Sequence, residues 1–86
     1  MNFTVVWKET AENALAEIWL TAVDRRVVAE AATEIDQKLG REPDSVGESR
    51  DKGRRILIAR PLVAIYRVSA ADRTVSVLDL WKCKRL

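Results

Sequence analysis

Histidine is absent from this 86-residue chain, and cysteine occurs once, at Cys83. The first absence removes the commonest metal ligand and the side chain that most readily moves protons near neutral pH. A Ser-His-Asp triad, a Cys-His dyad and a zinc site are excluded by counting. One cysteine closes no internal disulfide, so a secreted disulfide scaffold is excluded as well. No uncharged apolar run approaches the ~20 residues that cross a bilayer. Residues 1–8 lack the basic-then-apolar order of a secretory leader. The expectations are a cytoplasmic protein with no metal, no cofactor and no membrane partner. What is present suits a globular domain: 48% of residues are hydrophobic and 33% charged. A chain of this length buries roughly 60–65% of its unfolded surface, enough for one core and a single domain over 1–86.

Charge is divided unevenly along the chain. Residues 1–43 carry five Lys/Arg against eight Asp/Glu, a net −3, and residues 44–86 carry ten against five, a net +5. From Arg50 onward the count is ten against three, a net +7. A basic half on a small domain is the electrostatic footprint expected for nucleic acid or for an acidic protein segment. The plainer alternative is that these arginines pair with carboxylates of the acidic half.

Hydrophobic periodicity divides the chain into elements. Phe3, Val5 and Trp7 alternate with Thr4, Val6 and Lys8, as in a strand. Thr10 is placed to cap a helix in which Leu15, Ile18, Trp19 and Ala22 form one buried stripe. Asp24 caps a second helix, with Val28, Ala31, Ala32, Ile35 and Leu39 as its stripe and Gly40 as a left-handed C-terminal cap. The short break between the stripes predicts an antiparallel helical hairpin. Gly40–Gly53 holds little that can be buried and reads as a mobile loop. From Arg54 the period becomes two. Strands are expected over 54–59, 62–68 and 75–82, joined by tight turns at Arg60-Pro61 and at residues 70–73. The result is an α+β fold of order β-α-α-β-β-β, a helical hairpin packed on a small, mostly antiparallel sheet.

Arg54, Arg55, Arg60, Arg67 and Lys82 fall on the three-strand meander and are the candidate contacts to nucleic acid or another target. Arginine's planar fork suits phosphate and carboxylate oxygens alike, and aromatic rings beside it can stack on bases. Trp81, at the end of the last strand among lysines, is the candidate partner contact. Trp19 reads as core, Trp7 as core or sheet-packed, and Tyr66 as a buried ring with its hydroxyl at the edge. Asp79, the only carboxylate within the meander strands, is expected to pair with a neighbouring arginine.

Taken in order, these segments resemble the RelE/ParE superfamily. The resemblance rests on Phe3-Thr-Val-Val-Trp7, Ala11, Leu15, Ile18-Trp19, Ile35-Asp36, Leu39 and Pro43, then Pro61 through Val68, and Arg73 through Trp81. It spans nearly the whole chain. It implies the toxin of a type II toxin–antitoxin module, with a cognate antitoxin that wraps the toxin and covers its active surface. One branch of the superfamily cleaves mRNA in the ribosomal A site, and the other poisons DNA gyrase. The nuclease branch carries an arginine where this sequence has Val63, another near Cys83, and an aromatic acid–base residue further on. No tyrosine or histidine follows Trp81 here. Arg54 and Arg55 loosely match basic residues of the family's second strand, and Lys82 matches a family lysine. A two-residue shift in alignment lets Arg60 or Arg67 fill a missing arginine position. Cleavage through an RNA 2′-hydroxyl needs a proton acceptor, a donor and cations on the phosphorane oxygens, and only the last is well supplied. The implied activity is therefore growth inhibition through translation, by mRNA cleavage or ribosome binding, or through DNA gyrase. Two further readings stand beside it: a catalytically inactive interaction protein of the family fold, and a small nucleic-acid-binding module.

Overall fold

A computed structural model describes residues 2–83. Its elements are β1 (Thr4–Trp7), α1 (Glu9–Thr21), α2 (Arg25–Arg41), β2 (Glu48–Ser49), β3 (Arg54–Ala59), β4 (Leu62–Ser69) and β5 (Thr74–Lys82). The strands form one sheet in the order β1-β5-β4-β3-β2, in which β1 runs parallel to β5 and every other pairing is antiparallel. The helical hairpin on a mostly antiparallel sheet is thus as expected.

The helix boundaries differ from the sequence reading, for identifiable reasons. Lys8, not Thr10, is the residue before α1, and no side chain caps that end. The Lys8 N–H is drawn to Val77 O at 2.9 Å, which keeps Lys8 extended, and its own carbonyl accepts the first helical bond from Glu12 N. Glu9 and Glu12 in the first turn offset the positive helix end instead. Asp24 does cap α2, its carboxylate accepting from Arg26 N at 3.0 Å. Gly40 is no cap. It lies inside α2, which stops at Arg41 because the residue before Pro43 is pushed out of helical conformation. The carbonyl of Gly40 accepts Phe3 N–H at 2.7 Å and fastens the end of α2 to the start of β1.

Val28, Ala31, Ile35 and Leu39 of α2 and Ala11 of α1 meet Leu57, Ala59, Leu62, Ala64, Tyr66, Val75, Val77 and Leu80 in the core. Trp19 departs from expectation: it is 39% exposed. Its indole is held by Arg25, whose guanidinium lies 4.5 Å from the ring centroid while donating to Trp19 O and Leu20 O at 3.2 Å each. Arg25 thereby takes the Leu20 carbonyl, shares that of Trp19 with the Ala22 N–H, and ties the hairpin turn together.

The 40–53 segment is more structured than a plain loop. It contains β2 and a 3-10 turn at Asp51–Gly53, and Lys52 and Gly53 adopt positive φ.

Candidate functional site

Alternation along β3, β4 and β5 sends half of each strand's side chains into the core and half to the face without helices. The register pairs Arg54 with Arg67, Ile56 with Ile65 and Ile58 with Val63 on that open face. On β5, Trp81 lies opposite Val63 and Asp79 opposite Ile65, beyond a register shift between Ile65 and Tyr66. The middle of the open face is therefore apolar. Ile58 is 56% and Trp81 40% exposed, and between them Val63 is covered to 8%.

The five basic candidates do not form one surface. Arg54 and Arg67 share one end of the face as direct cross-strand neighbours. Arg60 lies in the β3–β4 turn at the opposite end, about 17 Å along the strand, beside Lys82, which pairs with Leu62. Arg55 points the other way. Its Nη2 donates to Gly47 O at 2.8 Å and its Nε to the Tyr66 hydroxyl at 3.2 Å, under the sheet on the helix side. Strand alternation thus separates Arg55 from Arg54 by a whole face, and its guanidinium is engaged by Gly47 and Tyr66. Trp81 keeps the exposure its partner-contact reading requires.

Charge pairing between the two halves is not what occupies these arginines. The ion pairs among the described residues are Lys38–Glu34 and Arg50–Glu48. Asp79 does not pair with an arginine as expected; its Oδ1 accepts the N–H of Leu80 at 2.8 Å. Arg54 and Arg67 thus stand opposite one another as like charges with no ion pair among the described residues, an arrangement that costs stability in a strand pair. Arg67 donates one bond, from Nη2 to Lys52 O at 3.2 Å. An anion placed between the two would relieve that repulsion.

Tyr66 is the one tyrosine. It is fully buried, and its hydroxyl donates to Pro43 O at 2.8 Å while accepting from Arg55. No phenol is available on the open face, the sequence has no imidazole, and no group of three or more metal-ligating side chains gathers among the described residues. No helix is long and apolar enough to cross a membrane.

Solved structures share this architecture at high coverage. A RelBE toxin–antitoxin complex from Mycobacterium tuberculosis superposes with a TM-score of 0.79 at 24% identity, over 95% of this chain and 92% of that one. The fold is that of the RelE/ParE toxins. A chromosomal ParDE system from P. aeruginosa matches with a TM-score of 0.72 at 18% identity, over 95% of this chain and 97% of that chain. The isolated E. coli RelE toxin matches with a TM-score of 0.65 at 17% identity, over 98% and 87% respectively. No protein-family model matches the chain, and no curated protein matches it in sequence. RelE-type and ParE-type structures thus both share the fold.

Proposed function

We propose that this chain is the toxin of a type II toxin–antitoxin module, neutralised by a cognate antitoxin, and that it inhibits growth by binding its target rather than by cutting RNA. The fold shared with RelE and ParE toxins supports the first part. The burial of Tyr66 carries the second: the chain's single phenol is sealed beneath the sheet and bonded on both sides. What the open face offers is recognition: an apolar centre of Ile56, Ile58, Val63 and Ile65, Trp81 at one end, and the Arg54–Arg67 pair at the other. Such a face suits a protein or ribosomal surface that presents apolar groups beside a phosphate or carboxylate.

Induced expression in a bacterial host tests this, with and without the gene that would encode the antitoxin. The expected result is growth arrest, relieved by co-expression of that gene, with cellular mRNA left intact. Removing one charge-assisted hydrogen bond from the face weakens binding about ten- to a hundredfold. The Arg54→Ala/Arg67→Ala double variant should therefore lose the arrest while melting no lower than the parent. Discrete mRNA cuts on induction would overturn the binding mechanism, and growth without arrest would overturn the toxin reading.

A further inference from the structure

The turn that leads into β3 carries two left-handed residues in succession. Lys52 stands at φ 63° and ψ 34°, and Gly53 at φ 74°. The Arg54 N–H donates to Asp51 O and closes the turn. On its outer side the Arg50 N–H donates to Arg54 O at 2.7 Å. Positive φ at both central residues is the mirror-image turn of β-hairpins, where glycine and asparagine are the usual occupants. A lysine at the first central position is strained there. Strain of this kind persists where the surrounding structure fixes it, and it collects at functional sites.

What the strained conformation accomplishes is visible across the sheet. It aims the Lys52 carbonyl at Arg67 of β4, whose Nη2 donates to it at 3.2 Å. Arg54, the last residue of the same turn, stands directly opposite Arg67. One turn therefore holds both arginines, Arg54 through its main chain and Arg67 through its guanidinium. Neither forms an ion pair among the described residues, and Lys52 forms none either. Two unanchored like charges would swing apart, and an exposed arginine left free loses affinity when binding has to order it. We propose that the turn at residues 51–54 is the positioning element of the Arg54–Arg67 pair, and that Lys52 serves it through its main-chain carbonyl and not its ammonium. The pair is thereby pre-set to grip one oxyanion of the phosphate type. This inference rests on the open face being the binding surface, as proposed above.

Inorganic phosphate is the probe, titrated into the full chain while NMR follows the Nε–Hε signals of Arg54 and Arg67. Both signals should move together and report one dissociation constant. Gly53→Ala adds a Cβ that meets nothing within 4 Å, but it puts a second side chain at positive φ. The turn should open, and phosphate should bind about three- to tenfold more weakly, the effect of ordering one arginine afresh. Gly53→D-Ala, made by chemical synthesis of the chain, adds the same methyl to a residue that favours positive φ. It should restore the parental affinity. Lys52→Asn keeps the carbonyl on a residue that tolerates the left-handed region, and its affinity should stay within about twofold of the parent. All three variants should fold, because residues 51–53 are exposed. Equal affinities for the two alanine chains, a larger loss with Lys52→Asn than with Gly53→Ala, or arginine signals that ignore phosphate in the parent would overturn the proposal. Growth arrest is read separately: a parent that arrests nothing would overturn the toxin reading and leave the titration result standing.

Discussion

Replacing Tyr66 with phenylalanine removes one oxygen from a fully buried site and tests how the segment after α2 is held to the sheet. That hydroxyl donates to Pro43 O at 2.8 Å and accepts from Arg55 Nε at 3.2 Å. A neutral hydrogen bond contributes about 0.5–1.5 kcal/mol net, and one involving a charged group about 1.5–3. The sum overstates the loss, because Arg55 keeps its bond to Gly47 O at 2.8 Å. Water can also reach the Pro43 carbonyl if residues 43–49 lift, which caps the penalty at the free energy of that local opening. About 2–3 kcal/mol is expected, a fall of roughly 10–20 °C in Tm for a domain of this size. Urea and thermal unfolding followed by tryptophan fluorescence give the global loss, and amide exchange over 43–49 shows whether the segment opens first. A double-mutant cycle with Arg55→Met should return a coupling of about 1 kcal/mol. A loss under about 0.5 kcal/mol, with unchanged exchange in that segment, would refute the idea that the hydroxyl fastens it.

Gly47→Ala probes the same junction from the other side: the added Cβ would lie 2.5 Å from both Ile56 O and the Tyr66 hydroxyl. It should lower stability by about 1–3 kcal/mol or more in denaturant unfolding. Asp24→Ala removes the α2 cap bond and should cost about 1 kcal/mol, whereas Thr10→Ala should stay within about 0.5 kcal/mol, since Thr10 caps nothing. Arg54→Glu should raise stability by about 0.2–1 kcal/mol in chemical denaturation, because it turns a like-charge cross-strand pair with Arg67 into an opposite-charge one. The same change should abolish growth arrest, so stability and inhibition move in opposite directions.

Strand alternation and helical stripes are local properties, and they located most of the fold in advance. The two-residue period from Arg54 placed β3, β4 and β5, and it also placed Tyr66 in the core among Leu62 and Ala64. The failures came where a distant group decides a local outcome. Thr10 has the chemistry of a cap, but the bond from Lys8 N to Val77 O starts the helix earlier. Trp19 has the spacing of a core residue, yet whether a stripe is covered depends on what stands opposite. Residues 48–49 carry no strand pattern and become β2 through pairing with β3.

The candidate site divides along the same line. Composition by itself determined that a basic excess lies in the second half and that imidazole chemistry is absent, since counting needs no geometry. The likeness to RelE/ParE toxins was likewise legible from the order of elements. Which arginines share a surface was not. Arg54 and Arg55 are adjacent in sequence, but the pleat sends one to the open face opposite Arg67 and the other beneath the sheet to Gly47 and Tyr66. The pairing of Arg54 with Arg67 and the apolar centre between the basic ends both depend on register and on which side chains face one another. Those are long-range facts, fixed when the sheet assembles.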